Sequence, residues 1–166
     1  MNWLRTIFVV TVVGLTALPD HAMAQSLRDR LVGTWLLVAN TNSAPDGTKR
    51  QLFGESPTGI LILEANGRYA QVFTRAGRPK FKANNRLQGT LDEIKAAWEG
   101  AVAHFGTWSV SEVDKQLLLR VDGSFYPNQE GSVDKRIVIN VSADELQMHN
   151  ESSAGGTTEA TFRRVK

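Results

Sequence analysis

"LILEANGRYAQV", Leu61 to Val72, sets an Asn-Gly pair between two apolar, alternating runs. Both turn residues tolerate a positive φ, so Asn66-Gly67 is the strongest short hairpin signal in the chain. A two-residue turn there pairs Leu63 with Ala70 and Leu61 with Val72 on one aliphatic face. The other face then holds Ile62, Glu64, Tyr69 and Gln71. An antiparallel pair with one greasy side and one wet side covers a core.

Two further turns repeat the pattern downstream. A turn at Asp114-Lys115 puts Trp108, Val110, Leu117, Leu119 and Val121 on one face. A turn at Ala143-Asp144 does the same for Ile137, Ile139, Val141, Leu146 and Met148, leaving Val138, Asn140, Gln147 and His149 outside. A strand from Gly33 to Asn40, a short one near Lys49 to Phe53, and a last one from Thr158 to Val165 bring the total to eight or nine. A sheet of that size leaves two edges open unless it closes. The expected fold is all-β, an antiparallel up-and-down barrel of about eight strands, with an interior that is filled or holds one small ligand. One helix interrupts the strands. "TLDEIKAAWEGAVAH" opens with Thr90 and Glu93 in capping-box spacing. Leu91, Ile94, Trp98, Ala101 and Val102 follow as an apolar stripe that should lie on the barrel or across one end.

The first 24 residues read differently. Arg5 precedes the apolar run Ile7 to Leu18, and "AMA", Ala22 to Ala24, follows as a small-x-small cleavage pattern. A spanning helix needs about 20 apolar residues, and Pro19 and Asp20 stop this run too early. Residues 1–24 are expected to be a signal peptide. Residues 25–166 are expected to be the exported domain, periplasmic or extracellular, with no stable membrane span. The chain has no Cys, so it has no lipoprotein anchor and no disulfides.

The net charge of +2 is small and of mixed sign, which argues against nucleic acid as a partner. The one basic run, Arg75 to Gln88, has five basic residues and no acid. It is expected to be a solvated loop, with an anionic head group or a membrane surface as its alternative contact.

"LVGTW", Leu31 to Trp35, opens the first strand, and "FRR", Phe162 to Arg164, lies on the last. First and last strands of such a barrel are neighbours. Trp35 facing inward can plug one end, Gly33 lets the backbone bend there, and Arg164 can lie over the indole. Gly-x-Trp with this Arg is similar to the calycin signature of lipocalins and fatty-acid-binding proteins. Over Leu31 to Arg164 the chain resembles the small lipocalin-like domain proteins of bacteria and fungi. The stretches that carry this are "LVGTWLLV", "SPTGILILEANGRYAQV", "GTLDEIKAAWEGAVAHFGTWSV", "VDGSFYPNQEG" and "FRR". The resemblance implies a closed barrel with an internal cavity and no single activity. The chain departs from that pattern at Leu119 and Arg120, where a His pair is expected, and at Gln129, where an aromatic is expected. No role of those histidines is carried over.

Motifs for chemistry are sparse. No HExxH, His-x-His or carboxylate cluster marks a metal, no G-x-S-x-G elbow marks a hydrolase, and "GESPTG", Gly54 to Gly59, is a turn. No cofactor and no catalytic residue is expected. Among ionisable groups only Glu112, near a strand end, and Arg164 fall on the inward set. His104 stands alone, and Glu64, Tyr69, Arg120 and Asn128 read as surface or mouth groups. The expected function is binding of a small apolar molecule against Leu61, Leu63, Ala70, Val72, Trp108, Val110, Leu119, Val121, Ile139 and Met148. The basic loop and the Pro127-Asn128 loop would gate the mouth. Two alternatives stand beside it. One is an isomerase or cyclase of the allene-oxide-cyclase kind, acting by confinement and marked by a buried polar residue facing the cavity. The other is a cell-envelope interaction module with a filled core, marked by a large outward apolar patch. A slip of one residue in any register would exchange its two faces and bring Tyr69, Glu64 or Arg120 inside.

Overall fold

The computed structural model describes residues 25–166; the expected signal peptide lies outside the described residues. The strands are β1 (Gly33–Ser43), β2 (Lys49–Arg50), β3 (Thr58–Leu63), β4 (Arg68–Thr74), β5 (Ala101–Ser111), β6 (Gln116–Ser124), β7 (Val133–Val141), β8 (Glu145–Glu151) and β9 (Thr157–Arg164). Every neighbouring pair is antiparallel, and β1 pairs with both β3 and β9. Eight strands therefore close into an up-and-down barrel, as expected. The two-residue β2 is an extra strand hydrogen-bonded to the far end of β1. Closure removes the edges an open sheet would expose.

One end is sealed. Helix α1 (Leu27–Leu31) lies across it, capped by Ser26. Glu112 sits in the exposed β5–β6 turn and accepts from the backbone N–H groups of Leu27 and Arg28 at 3.0 and 3.1 Å. This corrects its expected inward placement: a carboxylate is better stabilised at a helix N-terminus than in an apolar core. Trp35 is fully buried and donates its indole N–H to Leu31 O at 2.9 Å. The Arg164 guanidinium lies 3.9 Å above the Trp35 ring and donates to Val32 O, Ala143 O and Arg30 O. Gly33 has φ +136°, and a Cβ there would meet Arg164 Nη1 at 2.6 Å. Gly33, Trp35 and Arg164 thus form one unit, as anticipated. Trp108 closes the same end, with its N–H on Glu64 O and Arg28 at 4.4 Å from the ring centroid.

The three hairpins resolve differently. At Ala143-Asp144 the expected turn forms, with Ser142 N donating to Glu145 O. At Asp114-Lys115 the loop is four residues, closed by Ser111 opposite Gln116. Its pairing is offset by two from the expected one, an even number, so Trp108, Val110, Leu117, Leu119 and Val121 stay inward. At Asn66-Gly67 the loop has three residues, closed by Glu64 N on Arg68 O, with Gly67 at φ +86°. This is the hairpin in which Gly takes the left-handed position of a bulge. Leu63 therefore faces Tyr69, and Leu61 faces Gln71. The offset is one residue, so Ala70 and Val72 point outward and Tyr69 and Gln71 are buried.

β7 carries a second inversion. Val138 pairs with Met148 but Asn140 pairs with Gln147, leaving Ile139 as an extra residue. Val141 keeps its inward place, while Arg136 and Val138 are buried and Ile137 and Ile139 are half exposed at 47% and 56%. A third bulge, at Val38 between Leu37 and Ala39, turns Asn40 and Asn42 inward. Each extra residue reverses the alternation beyond it.

Helix α2 (Leu91–Glu99) has the expected capping box between Thr90 and Glu93. It does not bury its stripe. The helix stops at Gly100, Ala101 and Val102 belong to β5, and Leu91, Ile94 and Trp98 remain exposed. Three large apolar residues on nine are too few to hold a helix flat on a barrel wall. The basic loop, 75–90, is solvent-facing along nearly all its length.

Candidate functional site

The end opposite the Trp35 seal holds a cavity of about 430 Å³. Its apolar wall is Leu52, Phe53, Phe73, Val102 and Ala160. Phe73 packs edge-on against Phe53 and at a tilt against Phe162, with centroids 6.0 and 5.7 Å apart. The rest of the lining is polar apart from Val133, and three of its five buried polar side chains arrive there through the three inversions. The Gly67 hairpin delivers Gln71, the Ile139 bulge delivers Arg136, and the Val38 bulge delivers Asn40.

Five polar side chains, four of them buried, form a chain of hydrogen bonds across the inner wall. Asp134 Oδ2 accepts from Arg136 Nη2 and Nε at 2.7 and 3.0 Å. Arg136 Nη1 donates to Gln71 Oε1 at 2.6 Å. That bond orients the Gln71 carboxamide, so its NH₂ meets His104 Nε2 at 3.0 Å as the donor. His104 Nε2 is then an acceptor, the ring proton sits on Nδ1, and Nδ1–H donates to Tyr69 Oη at 3.0 Å. Burial, with the Arg136 charge adding to it, lowers the His104 pKa to about 4 and keeps the ring neutral. Burial likewise pushes the Tyr69 phenol well above its ordinary value. Each group in the chain has at least one partner within it, and the guanidinium is neutralised by Asp134.

Asn40 differs. It is buried and lines the same cavity, yet its Oδ1 has no hydrogen-bond partner. Asn42, two residues along, donates from Nδ2 to both Gly155 O and Thr157 O.

None of the ten residues expected to contact ligand lines this cavity. Leu61, Leu63, Trp108, Leu119, Val121 and Met148 are buried, and all but Val121 belong to the main hydrophobic cluster. Val110 packs against that cluster from a partly buried position. Ala70, Val72 and Ile139 point outward. The simple alternation that selected these residues holds at the sealed end, whereas the cavity lies beyond the inversions. Arg120 and Glu64 are exposed. Of the groups missed, His104 had a visible signal, because it lies two steps of two before the inward Trp108.

The mouth opens into a vestibule of about 560 Å³ that shares Leu52, Phe53, Val102, Gln129 and Ser153 with the cavity. Trp98 of α2 stacks on Phe125 there, 5.4 Å between centroids. From the basic loop only Arg75 reaches the vestibule, donating to Leu52 O at 2.7 Å. Of the 3-10 turn Pro127–Gln129, Gln129 lines it and Pro127 and Asn128 do not. Among the described residues no group of three or more His, Asp or Glu is placed to hold a metal ion, and no helix is long and apolar enough to cross a membrane.

Comparison with curated proteins returns no match. Solved structures similar to the chain include a redesigned β-barrel, at 13% identity and TM-score 0.44, covering 85% of this chain and 96% of that one. A de novo designed fluorescence-activating β-barrel matches at 16% identity and TM-score 0.44, covering 85% of this chain and 99% of that one. The model of the lipocalin-like domain matches residues 32–165, which is nearly all of the barrel. With a barrel closed by β1 on β9 and plugged by Trp35 under Arg164, the chain belongs to the lipocalin-like domain family.

Proposed function

We propose that this protein binds a small, mainly apolar molecule in the cavity at the open end of the barrel, and that it does so after export of residues 25–166. The observation that carries the reading is the asymmetry of the barrel. One end is packed solid by Trp35, Leu31 and Arg164, while the other keeps about 430 Å³ between Phe73, Phe53 and the polar wall. That volume lies within the range of small-molecule sites, about 300–1,000 Å³. Burial of ligand surface supplies the drive, about 25 cal/mol per Å² before the costs of association. The exposed Trp98, Phe125 and Tyr126 rim the vestibule, so this apolar patch is read as the entrance and not as a separate interface.

The test is titration with the neutral probe N-phenyl-1-naphthylamine, whose emission rises in an apolar site. Ala160 lines the cavity, and Ala160→Phe fills it. Saturable binding that Ala160→Phe removes, with an unchanged far-ultraviolet spectrum, supports the reading. Binding that survives the substitution in a folded protein refutes it.

Turnover by confinement draws on one observation, a buried imidazole at the cavity. The same geometry works against it. Both His104 nitrogens are engaged, so the ring has neither lone pair nor proton free for substrate. A probe or natural occupant recovered chemically unchanged separates binding from turnover.

A further inference from the structure

We infer that the occupant of the cavity is a neutral molecule carrying a hydroxyl group, and that this hydroxyl pairs with the carboxamide of Asn40; the inference rests on the binding reading above.

Asn40 is 6% exposed and lines the cavity, and its Oδ1 is the one buried side-chain polar atom without a partner among the described residues. Leaving such a group unpaired is costly, and a buried acceptor in a native core is nearly always matched. The protein does not match it from within. The position is also unforced by packing: Asn40 sits opposite Ala160 on β9, whose small side chain leaves the space beside it open. The Val38 bulge is what turns Asn40 inward. Without it, strand alternation from Leu37 would direct Ala39 to the cavity and Asn40 to solvent.

The remaining polar groups define the charge of the ligand. The Arg136 guanidinium is held by Asp134 at 2.7 and 3.0 Å and by Gln71 at 2.6 Å, so it offers no unpaired charge to a carboxylate or phosphate. His104 gives both its nitrogens to Tyr69 and Gln71. The charged groups left at the lining are Lys135 and Glu151, one of each sign and both exposed. A carboxylate carried into this space would be desolvated without a partner. A carboxamide can turn either its oxygen or its NH₂ to the cavity, and a hydroxyl both donates and accepts, so it suits either orientation. The hydrocarbon body of the ligand then rests on Phe73, Phe53 and Ala160.

Three probes of one skeleton test this: naphthalene, 2-naphthol and 2-naphthoate, each titrated calorimetrically into the purified protein at pH 7. One well-made hydrogen bond to a buried acceptor corresponds to a preference of about tenfold. The expected result is 2-naphthol binding about tenfold tighter than either of the others. Asn40→Leu should bring 2-naphthol down to the level of naphthalene while leaving naphthalene within about twofold of its own value. Asn40→Ala replaces it should the leucine variant fail to fold. Tightest binding by 2-naphthoate overturns the inference, and so does a preference for 2-naphthol that persists without the carboxamide. Those outcomes leave the cavity as a binding site. Failure of all three probes to bind the folded protein removes the binding reading itself, and this inference with it.

Discussion

Acidification should weaken the fold through His104. In the unfolded chain the imidazole titrates near 6.5; in the barrel, burial beside Arg136 holds it near 4. A proton on Nε2 would also face the Gln71 NH₂, whose orientation Arg136 fixes. The folded pKa is depressed, so the unfolded state takes up the proton first as pH falls. Above about pH 7 both states are neutral and His104 contributes no pH dependence. Between 6.5 and 4 stability falls with decreasing pH, and below 4 the loss levels off. Over the window from pH 7 to pH 5 the two titration curves differ by about 2 kcal/mol. That window lies above the unfolded carboxylate range, which isolates the imidazole. The assay is urea denaturation at half-unit intervals from pH 7 to pH 5, for the wild type and for His104→Gln. The wild type should lose about 2 kcal/mol and the variant, though weaker throughout, should show a nearly flat profile. A flat wild-type profile, or an equal slope in both proteins, refutes a neutral His104 in this chain of hydrogen bonds.

The hairpin register is tested by exposure. Val72 is 44% exposed, so Val72→Lys should change stability by no more than about 0.5 kcal/mol, whereas Leu61→Lys, at a fully buried position, should prevent folding; loss of folding in both variants, read by circular dichroism melts, would restore the two-residue turn at Asn66-Gly67, which puts both residues on the inward face. Gly33→Ala forces a Cβ to within 2.6 Å of Arg164 Nη1 at a positive φ. It should cost about 1–3 kcal/mol and shift the emission of the Trp35 indole, and a Tm within a degree of wild type would mean that Arg164 can leave its three carbonyls freely.

Much of the barrel was legible because side chains alternate with period two and turns declare themselves. Trp35, Leu61, Leu63, Leu117, Leu119, Leu146 and Met148 face inward, as their spacing requires. The seal was legible too, since Gly33, Trp35 and Arg164 sit at the two ends of the barrel sequence and closure makes those ends neighbours. His104 could have been reached by counting back from Trp108, because the irregularity beside it lies in β6 and leaves the alternation of β5 intact. The α2 stripe was misjudged for a related reason: Ala101 and Val102 fit the helical period, but Gly100 had already ended the helix.

By itself the sequence determined the class of fold, the sealed end and those core residues that lie where strand pairing is regular. Only the tertiary structure decided the site. Tyr69, Gln71, Arg136 and Asn40 face inward because the Gly67 hairpin closes one residue off and because Ile139 and Val38 are extra residues in their strands. An inserted residue leaves no mark in a strand's own pattern. Its position is set by how two strands pair across the whole barrel, and closure must reconcile eight such pairings at once. The local pattern is therefore reliable where pairing is regular and fails beyond each bulge, which in this protein is where the cavity lies.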